Sequence, residues 1–411
     1  AKDITVPKNA RIFCDYPFTG TLDGRGHKIK GYQVSKTIVS GPLQKNNVYN
    51  EPANTSWNLI YPQTRFGLFD QASKATFKNI SMSKVKITVR TDCVASGGSL
   101  VTDAKSCTFL NVHASGKISV KSTRENPMAY SSFVIGGIAA GGSGKMKNCF
   151  NSAQITADIM NGYDSNGDFV GGLAGNFVYS LLEGCSNSGN LLLSGYGSCR
   201  LGGNNPWFGV AGLTMGKSLG QAYSAEAKKM NKKTPLINCT NSGSITLKPT
   251  SKGKKRYDTS VYGLANLHEE IWCNTLFAVG LVSETRNMRS CGNTGKIKAS
   301  NSFAKGGVYI AGLAGHGAGK MSRCWNKGSI RYNGYLKKGS NRNEVAVGGL
   351  FAEKWGGSKE NTTECYNTGN MNVKIKNKEK VKNHYQLSEL YSVGGIIGRI
   401  HTIYNNRISN C

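Results

Sequence analysis

Apolar and small residues in this chain recur in two linked patterns, and neither follows the period of a helix. The first is a short apolar segment with paired small residues: Gly136-Gly137-Ile138, Gly171-Gly172-Leu173, Ala211-Gly212-Leu213, Val279-Gly280-Leu281, Ala311-Gly312-Leu313, Gly348-Gly349-Leu350 and Gly394-Gly395-Ile396. The second is Cys-x-Asn-x-Gly-x-apolar, beginning at Cys185, Cys239, Cys291, Cys324 and Cys365, with Cys149 opening a weaker copy in which Ala153 replaces the glycine. After each such turn the polarity alternates, as in Lys296-Ile297-Lys298-Ala299, which is the signature of a strand with one buried face. Each unit therefore predicts three short strands: one through the Gly-Gly-Leu segment, one ending at Cys and one after the Asn-x-Gly turn. Units repeated at roughly 32 to 68 residues predict a parallel β-solenoid. Helical repeats are disfavoured because the segments between turn signals are too short, and the alternative is a propeller, whose blades need four antiparallel strands.

The front of the chain aligns with the same unit. Ala75-Thr76-Phe77-Lys78-Asn79-Ile80 and Cys107-Thr108-Phe109-Leu110-Asn111-Val112 match Lys145 to Cys149, which places Ile80 and Val112 in the column that cysteine occupies later. A column that accepts Ile, Val and Cys points inward, where cysteine behaves as a small hydrophobe. With coils about 4.8 Å apart, Cys149, Cys185, Cys239, Cys291, Cys324, Cys365 and Cys411 should stack as an interior ladder. Tetrahedral metal binding lacks its close Cys-x-x-Cys spacings here, and disulfides along a ladder of seven cannot pair every member. The disulfide candidates are therefore the remaining cysteines, Cys14, Cys93, Cys107, Cys199 and Cys273, with a Cys199 to Cys273 bridge joining two irregular segments. Asn151, Asn187, Asn241, Asn293, Asn326 and Asn367 form a second column. Asparagine tolerates left-handed backbone at a sharp turn, and its amides can bond from coil to coil, so these residues are expected as corner posts.

The whole chain, 1–411, reads as one solenoid domain. Residues 1–65 form an opening coil, Phe18 to Ile29, and a long excursion over about 31–65. Regular coils follow over 66–215, a coil with two insertions over 216–276, and regular coils over 277–411 that end in an incomplete repeat. Ser218 to Lys229 is expected as the one short helix. The insertion carrying Lys252, Lys254, Lys255 and Arg256 is the candidate anion-binding element, since loops on a rigid scaffold are common recognition sites. The last repeat breaks off at Cys411, and the expectation is end-to-end self-association, with Asp3 to Pro7 supplying a strand to another molecule.

The Gly172-Leu173-Ala174-Gly175 and Gly312-Leu313-Ala314-Gly315 segments, the Cys-x-Asn-x-Gly turns and the opening Phe18-Thr19-Gly20-Thr21-Leu22-Asp23-Gly24-x-Gly26-His27 resemble the GLUG-motif repeat family. The resemblance covers nearly all of the chain. It implies a secreted or cell-surface protein, adhesive or accessory, folded as a right-handed parallel β-helix. It brings no catalytic residues to carry over.

Composition adds charge to this picture. Among 411 residues there are 52 Lys and Arg against 23 Asp and Glu, a formal charge of +29. That balance points to anionic partners, namely acidic glycans or cell-wall polymers. Nucleic acid is disfavoured because no binding module or interleaved aromatic platform is present. Glycine at 52 positions with only 9 prolines excludes collagen. No apolar run is long enough to cross a membrane, and the start shows no signal peptide, as expected of a mature chain whose leader has been removed. Twelve cysteines and the Asn-x-Ser/Thr sequons suit an extracellular or cell-surface location, with Asn54 and Asn361 as glycosylation candidates and Asn79 and Asn238 too close to the core column.

Candidate chemistry is sparse. Leu267-His268-Glu269-Glu270 lacks the second histidine of a zinc peptidase helix, and no Gly-x-Ser-x-Gly elbow occurs. Asp164, Asn166 and Asp168 place oxygen ligands at alternate positions like the start of a calcium loop, but the later glycine and glutamate are missing. No other cofactor is implied. The reading that follows is a non-enzymatic structural or adhesive solenoid. The alternative is a lyase or hydrolase of an acidic polysaccharide, whose carboxylates would have to meet from neighbouring coils.

Overall fold

The computed structural model describes residues 2–12, 15–38, 64–91, 95–123, 133–160, 167–196, 207–216, 236–249, 275–285, 287–300, 307–336, 345–355, 361–377, 391–400, 407–409 and 411. These residues are all-β, with no helix among them, and their large sheets are parallel. Equivalent segments of successive repeats pair in register, so each repeat is one rung of a stack. Rungs are named below by their residue in the cysteine column.

The first strands of the rungs form a nine-stranded parallel sheet that includes Ala95–Gly97, Val134–Gly136, Gly167–Gly171, Trp207–Ala211 and Thr275–Val279. Each ends at the small-residue pair, where the chain bends. The Gly-Gly-Leu segment is thus the end of one strand and a corner, not a single strand through its middle. The physical reason is crowding: a Cβ on Gly171 would lie 1.8 Å from the carbonyl oxygen of Ala174. The apolar residue at the corner turns inward. Ile138, Leu173, Leu213, Leu281, Leu313 and Leu350 are fully buried, and each N–H donates to the carbonyl of its counterpart in the next rung at 2.8–3.0 Å. Burying such a side chain contributes about 1.5–3 kcal/mol.

A second strand leads to the cysteine column and a third leaves it. In the front rungs these merge into long strands, Thr76–Thr91 and Val101–Ser122, while later rungs break them into short pieces such as Leu236–Ile237, Thr240–Asn241 and Ile245–Pro249. The insertions on either side leave the stack unbroken, because Leu236 pairs with Leu182 on one side and Met288 on the other. The excursion after the opening coil starts later than its polarity suggests: Gln33–Ile38 is already a third strand, in register with Lys86 to Thr91. Ile4–Thr5 pairs within the chain, against Ile29 and Lys30. The expected helix at 218–229 lies outside the described residues.

The interior changes character along the stack. The front is aromatic: Phe77 stacks on Phe109 at 5.3 Å and 13°, and Phe18, Phe69 and Phe177 close around the pair. Behind it the same column continues as Met146, Leu182, Leu236, Met288 and Met321.

Candidate functional site

The corner of each later rung is organised around one buried asparagine. The amide Nδ2 of Asn151 donates to Oδ1 of Asn187, Asn187 to Asn241, Asn241 to Asn293, Asn293 to Asn326 and Asn326 to Asn367, each at 2.8 Å. Each of these donors also bonds the carbonyl two residues on, as Asn187 does to Gly189 at 2.9 Å. Oδ1 of Asn187 accepts the Gly189 N–H at 3.2 Å as well as the Asn151 amide. Both donors and both lone pairs of the side chain are then used, the full capacity of an amide. At Asn367 the spare N–H turns to Met371 Sδ at 3.6 Å.

This ladder joins the two sequence patterns. A Cβ on Gly172 would lie 2.6 Å from Asn187 Cγ, and one on Gly243 would lie 2.9 Å from Asn187 Nδ2. The same contacts recur around Asn241, Asn293 and Asn326. One glycine of the Gly-Gly-Leu corner and one of the Asn-x-Gly turn enclose each amide, so the two patterns are one unit in space.

The asparagines do not themselves adopt the left-handed backbone expected of corner posts. That conformation falls on the residue before the cysteine column: Asn79, Asn111, Asn148, Gly184, Asn238, Ser290, Arg323 and Glu364, with φ of 52–61°. The bend is made there, and the buried asparagine serves by hydrogen bonding. Asparagine or glycine at five of these positions was a readable signal.

Cys149, Cys185, Cys239, Cys291, Cys324 and Cys365 are reduced and fully buried in one column, and Cys411 is exposed, its Sγ accepting the Cys365 N–H at 3.4 Å. Desolvation pushes the Cys149 thiol well up, and the neighbour Cys291 pushes Cys324 up to about 12. At Cys185 the S–H groups of Cys149 and Cys239 pull downward against burial. Weak S–H donors return less than a buried charge costs, so the column is neutral at pH 7. Cys107 departs from expectation: it is a reduced, buried thiol beneath Ala75, with its S–H on Lys105 O at 3.4 Å, and not a disulfide partner. Cys14, Cys93, Cys199 and Cys273 lie outside the described residues.

A second cluster, partly buried, carries no motif of the kind read above. Glu284, His316 and Glu353 pair in register on three successive rungs, and Arg399 follows in the fourth. His316 Nδ1 lies 3.2 Å from Glu284 Oε1, and its Nε2 lies 3.3 Å from Glu353 Oε2. The imidazole meets Tyr309 edge to face at 4.3 Å and Phe277 at 5.2 Å. Side-chain exposure is 11% for Glu284, 16% for His316 and 1% for Glu353. A hydrolase keeps room for water or sugar between its carboxylates, whereas here an imidazole fills that space. The row alternates acidic and basic side chains from rung to rung. Its signal lay in the sequence, since each member stands at the same offset from the second small residue of its corner: Gly280, Gly312, Gly349 and Gly395.

The outer surface of the third strands is cationic. Lys86, Arg90, Lys117 and Lys121 are exposed on the front rungs, Lys248 in the middle, and Lys296, Lys298, Arg331, Lys374 and Lys376 on the back ones. The strands interpose one acid, Asp158, which accepts the Ser194 hydroxyl at 3.0 Å. The basic loop at Lys252, Lys254, Lys255 and Arg256 lies outside the described residues, as do Asn54, Asp164 and Asn166. Asp168 sits in a strand of the nine-stranded sheet, buried, with one oxygen accepting the Phe133 N–H at 3.0 Å. Asn361 is exposed at a strand start. Among the described residues, no three His, Cys, Asp or Glu side chains converge as metal ligands, and no helix is long and apolar enough to cross a membrane.

No family model, curated protein or solved structure matches the chain. The resemblance to GLUG repeats therefore rests on the motifs themselves.

Proposed function

We propose that this protein is a non-enzymatic structural or adhesive component of the extracellular space or cell surface, folded as a right-handed parallel β-helix that holds a cationic surface toward anionic glycans. The observation that carries the reading is the division of labour across the stack: the interior columns are spent on packing and amide bonding, while the third strands turn Lys and Arg outward with one acid among them. In-register parallel rungs support the solenoid, and right-handed crossover is the rule for parallel strands. Against the enzyme alternative stands the Glu284–His316–Glu353 row, in which an imidazole occupies the space between the carboxylates. Co-sedimentation with an insoluble polyuronate, with the supernatant assayed for new reducing ends and unsaturated products, tests both. Binding that weakens with salt and releases no product supports the proposal, and turnover overturns it in favour of a carbohydrate-active enzyme.

A further inference from the structure

The third strands other than Gln154–Met160, which holds Asp158, are free of acids, and the last three described in full are set apart by Trp325 and Tyr366 on the same rungs. From Cys291 to Ser300, from Cys324 to Leu336 and from Cys365 to Asn377 the sequence contains no Asp or Glu. Alternation fixes which side chains face out. Cys324, Asn326, Ile330 and Tyr332 are buried, so Trp325, Lys327, Arg331 and Asn333 point the other way. Lys298 and Arg331 are direct partners on neighbouring strands, and Lys374 lies two residues beyond Asn372, the partner of Arg331. Among the described residues Lys298, Arg331 and Lys374 make no ion pair, whereas the nearby Arg323 is taken by Glu364 at 2.9 Å.

An aromatic element lies on the same rungs as these cations, before the Asn-x-Gly turn. Trp325 lies against the backbone of Gly292, where a Cβ would come within 2.1 Å of the indole, so the glycine is required by the ring. Lys327 Nζ sits 5.5 Å from the centre of the Trp325 ring. Tyr366, the partner of Trp325 in the next rung, is 41% exposed. Adjacent strands are about 4.8 Å apart, and a pyranose unit has a similar length. A chain of uronic acid units, each bearing one carboxylate, can therefore place successive charges over successive rungs. Asn333, Asn372 and the aromatic edge add hydroxyl partners and an apolar surface for sugar rings.

The geometry points to the outer face of the Cys291, Cys324 and Cys365 rungs as a binding surface for a linear polyuronate, with Lys298, Arg331 and Lys374 taking the carboxylates and Trp325 taking a sugar face. This rests on the reading of the protein as a partner of anionic glycans, and it moves the contact from the basic loop to a sheet face. A polyuronate suits this surface better than a single-stranded nucleic acid does. The aromatic residues stand before the turn instead of alternating with the cations, as a base-stacking platform requires.

The test uses the full chain and polygalacturonate, with dextran as the neutral control and oligo(dT) as the competing polyanion. The variants are the triple reversal Lys298→Glu, Arg331→Glu and Lys374→Glu, the milder triple to Gln, Trp325→Phe and Trp325→Ala, and a front reversal of Lys86, Lys117 and Lys121 to Glu. All replace outward side chains, and circular dichroism checks that each keeps its β signal. Expected results are at least a tenfold loss of polygalacturonate affinity for the back triple to Glu, a smaller loss for Gln, and a change within about twofold for the front reversal. Trp325→Ala should weaken binding without altering its salt dependence, and Trp325→Phe should retain most of it. Equal losses from front and back variants would overturn the site while leaving the glycan reading intact. Tighter binding of oligo(dT) than of polygalacturonate would replace it with a nucleic-acid surface. Wild-type protein that binds neither polyanion would defeat the glycan reading itself.

Discussion

The front rungs and the later rungs solve the same corner with different chemistry. At Ile80 and Val112 the column before the third strand continues as Met82 and Ala114, and the strands run through almost without interruption. From Cys149 onward the corresponding positions are Cys and Asn, and the strands are cut short. The front also has an amide chain, but it lies outside the corner: Asn111 donates to Asn79, and Asn79 to Asp23, both at 3.0 Å. A buried amide must have every bond satisfied, whereas an exposed one is completed by water. The inner ladder therefore demands a glycine on each side, and the outer one does not. A front rung that departs at both places makes the dependence visible. Where Asn is replaced by Ala114, the corner glycine is replaced by Ser99, whose hydroxyl donates to Gly137 O at 2.6 Å.

The largest expected effect breaks the inner ladder at its middle. Asn241→Ala strands Nδ2 of Asn187 and empties one lone pair of Asn293, and should cost about 3 kcal/mol, seen as a lower urea midpoint. A loss below about 1 kcal/mol would show that the ladder adds little beyond packing. The comparison sharpens if the front is converted to the back. Ala114→Asn alone should cost about 2 kcal/mol, because its amide meets the Ser99 side chain. Adding Ser99→Gly should restore about half of that, since among the described residues Asn151 Oδ1 accepts the Ala153 N–H alone and has a lone pair to offer. Strict additivity in this cycle would separate the two patterns again.

Smaller effects probe the cysteine column and the front edge. Cys239→Val puts in the later rungs the residue that the front already uses at Val112, and should cost under about 1.5 kcal/mol; a much larger loss would mean that the S–H contacts matter. Acid should loosen the first rung before any other. The Lys30 side chain and the Lys28 N–H hold Asp3 below its ordinary 3.8, and the Arg25 N–H and the Asn79 amide do the same for Asp23. Because both folded values are depressed, the contribution is complete above 3.8 and is lost as pH falls below it through the folded values. Hydrogen exchange of the amides of Lys28 and Arg25 at pH 5 and pH 3 reads this directly, with the Cys239 rung as the unaffected control.

The sequence by itself determined the rung. Period-2 alternation, paired small residues and the Cys-x-Asn-x-Gly turn each impose a local geometry that few other residues satisfy, so the inward columns, including Ile80 and Val112 beneath cysteine, were legible from alignment of the chain with itself. Local rules also misled: asparagine at a turn suggested left-handed backbone at Asn187, which adopts it nowhere, while Ser290, Arg323 and Glu364 are held there by their neighbours. Only the tertiary structure decided which bonds form where residues of different rungs meet. The amide chain through Asn187 and Asn241, the imidazole of His316 between Glu284 and Glu353, and the alignment of Lys298 with Arg331 all join residues from separate repeats. Stacking brings such residues to one strand spacing, and at that distance desolvation and hydrogen-bond geometry fix their roles, whereas the separation along the chain does not.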